Sequence, residues 1–278
     1  TVQRENCLMC GRCEASCPVD IRHNALRLSK RPDQIRITKD TYSYVKLPSF
    51  SPAKAAYFAG CMGHLTPSVI QAMRSIFKKA NVSYTFIDEN GGVCCGRPML
   101  LSGNQSAASV ILEKNKAIIE ASKAEILVTS CPICYKTFKE EYGLQMQVMH
   151  HTEYIDYLIR NHCLKIVPSA LRTVFHNPCE LGRGSNVYAA PSRILQTVSQ
   201  KIDTPYDDRN SLCCGGSLAN TYISGEQRYR ISTDTLRIYA SYKPDVLVTA
   251  CPLCKKTFAK KPDAIPVKDI AEIVAETC

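Results

Sequence analysis

Apolar residues along the chain fall into short runs separated by stretches with helical spacing. The run at 55–60, Ala55-Ala56-Tyr57-Phe58-Ala59-Gly60, predicts a strand that leads to Cys61, and a helix-period stretch follows from Ser68 to Lys79. A strand at 83–88 feeds a glycine-rich loop that holds Cys94 and Cys95, and an amphipathic helix is predicted over 105–122. Strand 125–130 ends at Cys131, where Pro132 suits the first turn of the next helix. Val148-Met149 and a helix near 153–161 close the pattern, echoed at the C-terminus by Ile265-Pro266-Val267 and a helix near 268–276. Strand alternating with helix predicts an α/β fold with mainly parallel sheets.

The pattern occurs twice. Ala56-Tyr57-Phe58-Ala59-Gly60-Cys61 recurs as Val174-Phe175-His176-Asn177-Pro178-Cys179, and Gly91-Gly92-Val93-Cys94-Cys95-Gly96 as Ser211-Leu212-Cys213-Cys214-Gly215-Gly216. Ile126-Leu127-Val128-Thr129-Ser130-Cys131-Pro132-Ile133-Cys134 recurs as Val246-Leu247-Val248-Thr249-Ala250-Cys251-Pro252-Leu253-Cys254. Offsets of 118, 119 and 120 residues keep order and spacing, the mark of a duplicated domain. The expected division is a segment and linker over 1–50, a first copy over 51–165 and a second over 166–278.

Composition changes the picture through one residue type. At 278 residues each copy can bury its own core, so cysteine staples are not needed, yet there are 16 cysteines. The first residues show no basic segment followed by an apolar stretch, and the apolar runs fall far short of the roughly 20 residues that cross a bilayer. Metal ligation in a reducing, cytoplasmic setting is therefore expected, not a disulfide framework. The net charge of +10 counts cysteine as neutral, and anionic clusters would lower it. Lysine and arginine are scattered apart from Lys255-Lys256 and Lys260-Lys261, so no nucleic-acid partner is expected.

Cys7, Cys10, Cys13 and Cys17, followed by Pro18, have the spacing of the bacterial ferredoxin run for a [4Fe–4S] cubane, whereas zinc sites usually pair two distant CxxC units. In two-cluster ferredoxins the fourth cysteine serves the other cluster. A second such run is missing here, so either Cys17 closes one cluster or the partner motif lies outside this sequence. The latter is expected, with the chain as the C-terminal part of a longer polypeptide.

Two further sets share a single pattern, C-x32-CC-x35-CPxC at Cys61, Cys94, Cys95, Cys131 and Cys134, and C-x33-CC-x36-CPxC at Cys179, Cys213, Cys214, Cys251 and Cys254. These motifs resemble those of the CCG, or cysteine-rich, domain family. The whole chain is similar to the catalytic iron–sulfur subunit of heterodisulfide reductases and, more distantly, to iron–sulfur subunits of glycolate, lactate and glycerol-3-phosphate dehydrogenases. The resemblance implies two noncubane [4Fe–4S] clusters, one per complete motif, with a disulfide cleaved between them. It also implies electrons from a flavin- or ferredoxin-type partner subunit. Five thiolates for four irons would leave one iron able to change ligands. The alternative is a relay that passes electrons from a flavin dehydrogenase to a quinone or membrane partner. No dinucleotide or phosphate-loop fingerprint occurs, so no flavin or nucleotide is expected on this chain.

Other residues carry weaker expectations. His176, three residues before Cys179, is read as a group behind the ligands that caps the strand end or tunes a cluster sulfur. Arg97 and Arg183 adjoin cluster loops and are read either as anchors for an anionic substrate or as compensation for cluster charge. His64 has Gly182 at its repeat position. His150 and His151, aligned with Val267 and Lys268, are read as strand-end structure. Cys163 and Cys278 fall outside the motifs and are read as buried or terminal free thiols.

Overall fold

A computed structural model of the chain describes residues 7–30, 50–216, 223–259 and 265–278. The linker expected up to residue 50 falls, over 31–49, outside the described residues, as do Lys260 and Lys261. Strands β1 (Ala55–Phe58), β2 (Tyr84–Phe86), β3 (Ile126–Thr129) and β4 (Gln147–His150) pair side by side in the order β2-β1-β3-β4, all parallel. Strands β5 (Arg172–His176), β6 (Gln200–Ile202), β7 (Val246–Thr249) and β8 (Val267–Asp269) repeat this as β6-β5-β7-β8, again all parallel. The duplication read from the sequence is thus a duplication of topology.

Parallel strands covered by helices on both faces read as continuous apolar runs, and alternate residues then face opposite layers. Tyr57, Val128, Phe175, Val246 and Val248 point into one core shared by both copies. Ala56, Phe58 and Leu127 serve a core of the first copy, against which Leu253 of the second packs, and Val174 and Leu247 one of the second. The shared core is closed by the helices Pro67–Lys79, His151–Arg160, Ala189–Val198 and Ile270–Thr277, which pack against one another across the copies. Each fully buried large apolar side chain contributes about 1.5–3 kcal/mol. This core, more than any polar contact, holds the copies together.

The strand order decides where a site can form. The chain leaves β1 toward β2 on one side and returns to β3 on the other, so a crevice opens beyond the carboxyl ends of the two neighbours. Cys61 follows β1 and Cys131 follows β3, while Cys179 and Cys251 occupy the same places after β5 and β7.

In the first copy two short helices were not foreseen, Gly60–His64 and Arg97–Ser102. Each is little more than one turn, too short for a period to register. The helix predicted near 153 begins at His151, because His150 accepts from the Thr152 amide while Glu153 accepts from the His150 amide. Asp269 and Glu272 cap Ile270–Thr277 in the same way. The repeat partner of His150 is therefore Asp269, a correction to the alignment with Val267. Among the described residues no helix is long and apolar enough to cross a membrane.

Candidate metal centre

In the first copy the Cys61 turn is fixed from below. The buried carboxylate of Asp88 accepts from the Ala59 and Gly60 amides at 2.9 and 2.8 Å and faces His64 Nε2 at 3.4 Å. Cys94 and Cys95 sit on a loop braced by Asn115, which donates to the Cys94 carbonyl at 2.8 Å, and by Tyr142, which donates to the Cys95 carbonyl at 3.2 Å. Cys131 caps the helix Pro132–Glu141 and Cys134 lies in its first turn. Gly60 and Gly92 are required here. A Cβ on Gly60, where φ is +72°, would lie 2.9 Å from Cys134 Sγ, and one on Gly92 2.9 Å from Cys61 Cα.

The second copy repeats this with other residues. Thr235 donates to the Cys213 carbonyl at 2.8 Å, 120 residues after Asn115. The Gly215 and Gly216 amides reach Cys213 Sγ and Cys214 Sγ at 3.5 and 3.3 Å, as the Gly96 amide reaches Cys94 Sγ at 3.4 Å. Cys254 Sγ lies 3.2 Å from Cys214 Sγ.

The packing joins the two sets. Thiol-to-thiol contacts run from Cys61 through Cys94, Cys95, Cys134 and Cys131 to Cys251, and on through Cys254, Cys214 and Cys213 to Cys179. Cys213 also contacts Cys10 of the N-terminal run. Ten motif thiols therefore form one row through the crevice, with Cys131 and Cys251 meeting at its middle. Among the described residues no three His, Cys, Asp or Glu side chains converge as a single ion needs.

The cysteine-rich domain family, CCG, matches residues 55–139 and again 173–259. The chain belongs to the CCG cysteine-rich domain family. It spans little more than half the length of the curated relatives it matches. A fumarate reductase (CoM/CoB) subunit of Methanothermobacter marburgensis is 24% identical over 90% of this chain and 55% of that protein. A dihydromethanophenazine:CoB–CoM heterodisulfide reductase subunit of Methanosarcina acetivorans is 27% identical over 81% and 59%. The EtfAB:quinone oxidoreductase of Syntrophomonas wolfei is 26% identical over 73% and 31%.

Within the CCG copies the thiols are strongly polarised. Cys94, Cys134, Cys213 and Cys254 are pushed far above the usual thiol range, chiefly by hydrogen bonds to Cys61, Cys131, Cys10 and Cys214 respectively. Cys95, Cys131 and Cys214 are held well below it by hydrogen bonds from Cys134, Cys134 and Cys213. Burial, ahead of its Cys131 contact, raises Cys251. Cys10 is lowered to about 6 by its bond from Cys213. Raised and lowered thiols thus lie side by side along the row, a soft, sulfur-rich surface suited to iron.

At the N-terminal run the Arg27 guanidinium reaches Cys7 Sγ at 2.8 Å and Cys13 Sγ at 3.9 Å, and the Ile21 amide reaches Cys17 Sγ at 3.4 Å. His176 is buried and contacts Thr249 Oγ1 and the Leu212 carbonyl at 3.2 and 3.1 Å, so it braces the approach to Cys213 without bonding a sulfur. Burial lowers its pKa. Arg97 faces Glu140 and Glu141 at 3.7 and 3.9 Å, with its buried Nε unpartnered among the described residues. Cys163 is exposed and lies within the chain, which corrects its reading as a buried or terminal thiol, while Cys278 is half-buried beside Lys79. Sequence reasoning missed Asp88, Asn115, Thr235 and Glu180. The last follows Cys179 and lines a narrow cavity of about 40 Å³ with Arg97, Ile133 and Leu253. Burial raises its carboxyl. Only the Asn115–Thr235 pair carried a sequence signal, its 120-residue offset.

Proposed function

We propose that this chain is an iron–sulfur oxidoreductase subunit of the heterodisulfide reductase type. In this reading Cys7, Cys10, Cys13 and Cys17 hold a [4Fe–4S] cubane, and each five-cysteine set holds a noncubane [4Fe–4S] cluster. The donor set fits such groups, being sulfur-rich and polarised, served by backbone amides, and shaped by glycines that let Cys134 close on Gly60 and Cys61 on Gly92. When bound, the clusters supply single-electron steps and iron open to a substrate sulfur.

The observation that carries the reading is the meeting of Cys131 with Cys251. It supports a pair of equivalent sites facing each other, as a substrate with two sulfurs requires. Two electrons and two protons convert a disulfide into two thiols, and the reverse forms it. The chain's residues hold the two sites in register, and Arg97 offers an unpartnered Nε at the wall of the crevice to a substrate anion. Electrons come from a flavin- or ferredoxin-type partner subunit. Similarity to a quinone oxidoreductase favours a second reading, in which the row of sites relays electrons from a flavin dehydrogenase to a quinone without a substrate of its own.

Anaerobic EPR with an iron count separates the two. A paramagnetic species that appears only on adding thiols after mild oxidation supports disulfide chemistry, and Cys94→Ser removes it while leaving the ferredoxin-type signal. Thiols without effect on any signal leave the relay reading.

A further inference from the structure

The second copy carries a connection whose repeat position in the first copy is given over to something else. Arg183 stands 118 residues after Leu65, and Leu65 is 55% exposed. Arg183 instead reaches the N-terminal run, where its Nε donates to the Cys10 carbonyl at 2.8 Å. Its Nη1 donates to the Arg209 and Ser211 carbonyls at 3.0 and 2.8 Å. Ser211 leads directly into Leu212-Cys213-Cys214, so one planar guanidinium holds the backbone of the N-terminal run and that of the second vicinal pair at once. A Cβ on Gly11 would lie 3.8 Å from Arg183 Cβ, and the helix Arg12–Ala15 packs on the turn Asp208–Asn210. The Cys10 and Cys213 thiols touch beside this clamp.

We infer that Arg183 is a positioning residue that seats the N-terminal run on the second copy, so that electrons enter at Cys213 and reach the first copy last, across the Cys131–Cys251 contact. This rests on the iron–sulfur reading above. Each transfer moves one electron. The flavin- or iron–sulfur-type partner is oxidised by one, and the sites of the N-terminal run, the second copy and the first copy are reduced in turn. No bond breaks and no proton moves until substrate is reached.

The test uses the full-chain holo-protein, reduced stepwise with dithionite and followed by EPR and iron content. A paramagnetic neighbour in contact broadens the signal of the N-terminal site. Cys213→Ala, which disables the second-copy site, is expected to lose that broadening, and Cys94→Ala, which disables the first, to keep it. Arg183→Leu, with its iron content unchanged, is expected to lose the broadening and to slow arrival of electrons at the second copy in freeze-quenched samples. Arg183→Lys restores only part, because it keeps the charge and not the fork. Broadening that survives Cys213→Ala or Arg183→Leu, or that vanishes in Cys94→Ala, overturns the inference while the iron–sulfur reading stands. Preparations without iron at any motif end both.

Discussion

Gly60→Ala places a methyl group where the chain has no room for one. At φ +72° an L side chain costs about 1–2 kcal/mol from its clash with the backbone. The new Cβ would also stand 2.9 Å from Cys134 Sγ, which is buried in the first turn of its helix and cannot swing aside. Overpacking of this kind costs about 1–3 kcal/mol. Together the two give roughly 2–5 kcal/mol, or roughly 5–20 °C in melting temperature for a chain of this size. Displacing Cys134 from Cys95 and Cys131 should also cost the first-copy site its iron while the N-terminal EPR signal stays. Gly92→Ala has ordinary φ and meets the Cys61 backbone and the His64 side chain, so the packing cost stands alone at about 1–3 kcal/mol. Gly225→Ala, in open space at a helix start, gains up to about 1 kcal/mol in helix propensity. Calorimetry and iron analysis on the three anaerobic proteins decide it. If Gly60→Ala melts with Gly225→Ala and keeps its full iron, the close approach is not what shapes the site.

Asp269 pairs with His151 at 3.0 Å in full burial across the copies and also caps its own helix. Asp269→Ala should therefore cost about 3–5 kcal/mol by urea denaturation, and Asp269→Asn, which keeps the cap, clearly less. Asn115→Ala takes its side-chain donor from the Cys94 carbonyl and one of two hydrogen bonds from the Tyr142 hydroxyl and should cost about 1–3 kcal/mol, as should Thr235→Ala in the second copy, with Thr235→Ser restoring most of it. Burial holds His150 well below the usual imidazole range. Below about pH 6.5 the unfolded chain takes up a proton there that the folded chain refuses, so stability is full above that pH and falls by about 1.4 kcal/mol per unit as the pH drops toward the folded pKa. His150→Asn keeps a capping side chain and should shrink the stability difference between pH 7.5 and 5.5, and an unchanged difference would refute this account.

Much of the architecture was legible because it is written locally. The period of the strands and helices, the proline after each CPxC cysteine and the repeat offsets are properties of neighbouring residues, and each copy obeys them independently. The sequence was also sufficient to group the motif thiols, since strand-end placement in a parallel sheet forces Cys61 and Cys131 toward one crevice. It misplaced the partner of His150 because capping depends on a hydrogen bond from the second amide onward, which hydrophobic alignment does not register. It left Arg97 and Arg183 equivalent, although one ends beside acidic side chains and the other on three carbonyls.

The sequence by itself determined the α/β class, the duplication and the sulfur-rich chemistry. Only the tertiary structure decided that Cys131 meets Cys251, that Cys10 meets Cys213, and that His151 finds Asp269 118 residues away. Those meetings follow from how two sheets share one core, and such packing is set by the summed burial of residues far apart in the chain, not by any pattern along it.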